Sequence, residues 1–129
     1  MLNQLPAMYA QANSTALNAT RGVALASDLE VATSLLARTR GLLGQSVLRP
    51  GSGLLIDPCP SVHTWFMRFP IDVIFLDGKN CVVGLKRDLK PFRMAGCWRG
   101  VRTLELPAGT IAATGTSAGD SVVFETEAG

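Results

Sequence analysis

The sequence predicts a small, mainly β domain: an antiparallel, barrel-like sheet with one short helix over 34–43 and a helical turn near 110–114. Three observations carry that expectation. Short apolar runs, several with a two-residue period, recur along the chain. Gly, Pro, Asp and Asn punctuate them at close intervals. Only one stretch repeats its leucines at helical spacing. Strands this short and this closely spaced close on one another, and closure removes exposed sheet edges.

The elements follow in order. Residues 1–20 form an Ala/Asn/Gln-rich leader, expected to be a loose tail or a segment that docks on a partner, with Leu5, Met8, Tyr9 and Ala12 as a short apolar stripe. Residues 21–129 form the single β-rich domain. Residues 22–26 read as its first strand. Over 34–43, Leu35, Leu36, Thr39, Leu42 and Leu43 recur at helical spacing, with Thr33 or Ser34 to cap the start and Gly41 and Gly44 to mark the end. Pro50-Gly51-Ser52-Gly53 is a loop. Residues 54–57 are a short strand, and 62–67 alternate as the next. Residues 71–76 are apolar on both faces except for Asp72, as in a strand buried on both sides. Asp77-Gly78-Lys79-Asn80 is the clearest hairpin turn, and 81–86 its return strand. Residues 86–99 read as irregular and basic. Residues 102–106 and 122–125 are the last strands. In 102–106, alternation points Leu104 and Leu106 inward and Glu105 outward.

Composition sets limits on function. At 129 residues the chain suits one domain with a real core, and 47% apolar against 17% charged residues argues against bulk disorder. A net charge of +2, with one tyrosine and no interleaved basic and aromatic residues, gives no nucleic-acid signature. Three cysteines without a CxxC pair suit neither a disulfide framework nor a zinc site, and free thiols suit a reducing compartment. The first twenty residues carry no charge and are broken by Asn13, Ser14, Asn18 and Thr20, so no signal peptide is evident. The expected location is cytoplasmic, or secreted if translation starts upstream. No stretch approaches a transmembrane span.

Several blocks stand in a recognisable order. They are Arg38-Thr39-Arg40-Gly41-Leu42-Leu43-Gly44, Gly53-Leu54-Leu55-Ile56, and Thr64-Trp65-Phe66-Met67-Arg68-Phe69-Pro70-Ile71-Asp72-Val73-Ile74-Phe75-Leu76-Asp77. Leu104-Glu105-Leu106-Pro107-Ala108-Gly109 and Gly119-Asp120 complete the set. Together they resemble the bacterial and archaeal family called domain of unknown function 192, over about residues 22–126. The resemblance implies a compact β-barrel-like fold with little helix, and no reaction. Leu43 stands where that family usually has Met, and many of its members carry a secretion signal that this chain does not display.

The candidate chemistry is sparse. Cys59, the sole histidine His63, and Asp72 are the parts of an activated thiol, in which a base takes the proton and an acid orients the base. The competing reading is a packed thiol beside a hydrogen-bonded histidine. As metal ligands the three would leave an open position, and no zinc spacing is present, so neither metal nor cofactor is expected. Asp72 in so apolar a strand needs a partner, for which Arg68 and Arg40 are candidates, as a structural pair or as a ligand anchor. Trp65 and Met67 share a face with His63, which is either core or an apolar patch with a polar tip. Arg40, His63, Trp65, Met67, Arg68 and Asp72 are thus the ligand-binding candidates. Lys86, Arg87, Lys90, Arg93, Arg99 and Arg102 face a single acid, Asp88. Lys86, Arg87, Lys90 and Arg93 are the anion-binding candidates. Three functions follow: a non-catalytic binding or accessory module, which is favoured; a small enzyme using Cys59, His63 and Asp72; and a structural subunit that forms homo-oligomers or joins a protein partner.

Overall fold

The strand Ile71–Leu76 is buried at all six positions, and the fold is organised around it. The computed structural model describes residues 14–32, 48–58, 61–63, 69–91 and 93–126, with the main chain alone at 32 and 61–63. In chain order the strands are β1 (Ser14–Asn18), β2 (Val23–Ala32), β3 (Ser52–Ile56), β4 (Ser61–His63), β5 (Ile71–Leu76), β6 (Val82–Leu89), β7 (Met94–Gly96), β8 (Arg102–Pro107) and β9 (Val122–Thr126). One described helix, α1 (Thr110–Thr114), lies between the last two strands, where the helical turn is expected. The helix expected over 34–43 lies outside the described residues.

Seven strands form one curled sheet in the order β6-β5-β8-β3-β2-β1-β9, and β4 pairs with β7 as a separate ribbon. All pairs are antiparallel except β2 with β3. The two end strands meet at one corner. There Cys81 bridges Ser121, the Val82 N–H donates to the Asp120 carbonyl at 2.8 Å and the Val122 N–H donates to the Asn80 carbonyl at 2.9 Å. The sheet is therefore a half-barrel, closed at that corner.

Both faces of the sheet carry apolar clusters. Ile71, Val73 and Phe75 pack on one face with Leu54, Ile56, Phe69 and Leu89. Ile74 and Leu76 pack on the other with Leu29, Leu104, Leu106 and Ile111. This corrects the expectation for Glu105, which is fully buried. Its cross-strand partners are Val73 and Leu54, so it shares their face. Alternation sends a residue to water only where one face of a sheet is wet, and at β8 neither face is.

Other boundaries also move. Ser14–Asn18, expected within the leader, is a strand between β2 and β9, with its inward positions taken by Ser14, Ala16 and Asn18. Strand β2 runs beyond its expected end at 26. The N–H groups of Ser27 and Asp28 both donate to the Gly51 carbonyl, and the strand resumes beside β3. Strand β6 continues past Lys86 through an irregularity, with Lys86 opposite Val73 and Leu89 opposite Ile71. Asp88 sits there at φ 52. Within the segment expected to be irregular, Met94–Gly96 is a strand paired with Ser61–His63.

Candidate functional site

Asp72 is 1% exposed, and main-chain donors meet both of its carboxylate oxygens. Oδ1 accepts the Asp88 N–H at 2.9 Å. Oδ2 accepts the N–H of Gly109 at 3.1 Å and of Ile111 at 2.8 Å. The start of a helix leaves N–H groups without partners, and Gly109, at φ 96, has no side chain to cap them. Asp72 caps α1 from the neighbouring strand and fixes the irregularity in β6 with its other oxygen. Ile111, at the start of α1, is thereby held in the core. Arg40 and Arg68, the partners expected for Asp72, lie outside the described residues, as do Cys59, Trp65 and Met67. His63 ends β4, described here by its main chain.

A second polar cluster joins β1 to the loop before β9. Arg21 Nε donates to Asp120 Oδ2 at 2.6 Å. The Asn18 amide donates to the same oxygen at 2.9 Å and to Thr116 Oγ1 at 3.0 Å. The Ser117 N–H adds a third bond to Oδ2, at 3.0 Å. The Arg21 guanidinium, helped by Asn18 and Ser117, holds the Asp120 carboxyl down at about 2. Asp120 in turn raises the Arg21 guanidinium. Asp77 in the hairpin is lowered for a related reason, because Oδ1 accepts the N–H groups of Cys81 and Lys79, both at 2.9 Å. These two clusters hold turns in place through donors of the protein itself.

A concave surface among the described residues lies between β6 and β7. Two adjoining hollows share Lys86 and Met94. One, of 320 Å³, is lined by Lys86, Asp88, Leu89, Lys90, Arg93 and Met94. The other, of 260 Å³, runs along Phe75, Gly84 and Leu85 to Cys97. Gly84 permits the close approach of the two strands, since a Cβ there would sit 3.1 Å from Cys97 Sγ. Lys86, Lys90 and Arg93 of the four anion-binding candidates therefore converge on one groove, and Arg87 is not among the lining residues. Lys90 Nζ reaches Asp88 Oδ2 at 2.7 Å on the exposed side.

Sequence reasoning passed over Met94, on the groove, and Trp98, which follows the lining residue Cys97 without lining either hollow itself. Met94 is 67% exposed and Trp98 is 92% exposed. The Gly100 N–H donates to the Cys97 carbonyl at 2.8 Å, which closes a turn with Trp98 at its tip. Cys81 and Cys97 are free, half-buried thiols. Among the described residues no three His, Cys, Asp or Glu side chains gather as a metal site, and no helix is long and apolar enough to cross a membrane.

Comparison with known proteins places this geometry in context. The family model DUF192, described as an uncharacterized ACR, matches residues 16–124. A UPF0127 protein of Thermococcus sibiricus is 32% identical over 120 residues, which cover 86% of this chain and 75% of that protein. Two solved structures share the fold. One, from Sinorhizobium meliloti, is described as a candidate transcription regulator; it is 22% identical with a TM-score of 0.71, over 86% of this chain and 91% of that one. The other, a protein of unknown function from Novosphingobium aromaticivorans, is 20% identical with a TM-score of 0.72, over 85% and 82%.

Proposed function

Because the chain belongs to the DUF192 family, whose function is unknown, we propose from its own geometry that it is a non-catalytic binding module that takes an anionic ligand between β6 and β7. The observation that carries this reading is the convergence of Lys86, Lys90 and Arg93 on one groove that Leu89 and Met94 also line. A binding site combines a concave apolar surface with a few placed polar groups, and cations in a hollow focus their field on an incoming anion. Asp72 fits a structural role rather than an enzymatic one, since main-chain donors already take both oxygens. An acid/base must also reach the reacting group, and Asp72 is 1% exposed. Free Cys81 and Cys97 support a reducing, cytoplasmic setting.

The test is a titration of the isotope-labelled protein with inorganic pyrophosphate at low ionic strength, followed by backbone amide shifts. Shifts confined to the β6 and β7 residues that line the groove are expected, and adding salt should reverse them. Shifts scattered over unrelated cations such as Arg21 and Arg49, or none at all, would overturn the proposal.

A further inference from the structure

We infer that the occupant of the β6/β7 groove is an extended acidic segment of a partner protein, carrying an apolar side chain that seats against Met94 and Trp98. This deepens the proposed function and rests on it. Charge supplies the first argument. Six of the twelve basic residues, and one of the ten acidic ones, fall within residues 86–102. That stretch therefore carries +5, while the rest of the chain carries −3. The groove draws Lys86, Lys90 and Arg93 from that stretch, so an acidic segment is attracted to it.

The apolar residues decide what kind of anion fits. A small anion on Lys86 and Arg93 would leave Met94 and Trp98 in water. Exposed scattered apolar residues need no explanation, but here a 92% exposed Trp sits at the tip of a turn that begins at Cys97, itself part of the groove lining. Trp, Met and Arg are the side chains enriched where proteins meet, and Trp and Arg dominate the binding energy there. The shape of the site favours a chain over a flat surface. The two hollows adjoin through Lys86 and Met94, which gives an extended segment one continuous track. The Asp88–Lys90 pair places one acid beside the cations, so a segment with acids at every position would meet a like charge there.

Two synthetic peptides test this on the full chain by fluorescence anisotropy. One has a central Phe flanked by Asp and Glu, and the other has Ser in place of Phe and the same charge. The Phe peptide should bind about tenfold more tightly, the ratio for one well-seated apolar anchor. Trp98→Ala should bring it down toward the level of the Ser peptide and leave the Ser peptide unchanged. Trp98 is exposed and lines neither hollow, and circular dichroism confirms that the variant folds. Equal affinity of the two peptides would overturn the inference and leave the proposed anion site standing. So would a failure of both peptides to bind while pyrophosphate still shifts the groove amides. Failure of peptides and pyrophosphate alike would remove both. Binding of phosphatidylserine vesicles that depends on Trp98, with no preference between peptides, would replace the partner with a membrane surface.

Discussion

Replacing Asp72 separates the carboxylate's charge from its shape. Its two oxygens serve three main-chain donors on two elements, at 2.8, 2.9 and 3.1 Å. A hydrogen bond to a charged group contributes about 1.5–3 kcal/mol net, and a buried donor left without an acceptor costs about 1–3 kcal/mol. In Asp72→Ala all three donors lose their acceptor. Water can reach those of Asp88 and Gly109, which belong to exposed residues, but Ile111 is fully buried. The expected loss is about 3–5 kcal/mol, close to that of breaking a buried charged contact. Asp72→Asn is the sharper perturbation. Its single oxygen can stay with Gly109 and Ile111, but its amide then confronts the Asp88 N–H, donor against donor. A loss of about 2–3 kcal/mol is expected, close to one charged hydrogen bond. Urea unfolding measures both losses, and amide exchange locates them. Protection should fall at Asp88 in both variants and at Ile111 mainly in Asp72→Ala. If Asp72→Asn unfolded within about 0.5 kcal/mol of the parent, the range of a neutral surface change, the claim that both oxygens hold the fold would be refuted.

Three further outcomes follow from the described contacts. The carboxyl of Asp120 is held at about 2, below its ordinary 3.8, so it contributes stability above pH 3.8 that is lost as pH falls toward 2. Acid unfolding of the parent should be steeper across that window than that of Asp120→Asn, and coincident curves would contradict the assignment. A methyl group at Gly53 would lie 2.9 Å from Ala26 Cβ and 3.0 Å from Leu106 Cδ2, so Gly53→Ala should lower stability by about 1–3 kcal/mol in urea unfolding. Asn80 closes the hairpin at φ 64 and accepts from Arg102 Nη1 at 2.6 Å. Asn80→Gly loses only that bond, whereas Asn80→Ala adds about 1–2 kcal/mol of left-handed strain, and equal midpoints for the two would refute the account.

The architecture was legible where apolar pattern and turn chemistry agreed. Ile71–Leu76 reads at its observed bounds because an unbroken apolar run with one carboxylate suits only a strand covered on both sides. The Asp77–Gly78 turn and the helical turn at 110–114 read correctly for similar local reasons. The strand Ser14–Asn18 did not, because its inward positions include Ser14 and Asn18. Asn18 is satisfied by Thr116 and Asp120, about a hundred residues away, and no local window shows those partners. Glu105 misled for a different reason. Period-two alternation gives a residue's face correctly, but whether that face is wet depends on what covers it. Asp72 was recognised as a buried carboxylate in need of partners, and arginine was the natural expectation. Main-chain donors carry no mark in the sequence, so the cap on α1 could only be seen once the strand and the helix were placed together. The basic groove was half legible. Composition picked out Lys86, Lys90 and Arg93, but their convergence with Met94 depends on β7, whose three residues are too few to show a period.

The central claim, an anion-binding groove between β6 and β7, is tested most directly by moving one charge. Lys86→Glu and Arg49→Glu change the net charge equally, both at exposed positions, but only Lys86 lines the groove. Affinity for poly-L-glutamate is measured for both variants and the parent across a range of ionic strength. Lys86→Glu should weaken binding at least about tenfold at low salt and flatten its salt dependence, while Arg49→Glu stays near the parent. Equal losses in the two variants would show that only overall charge matters, and would contradict the assignment of the groove as the binding site.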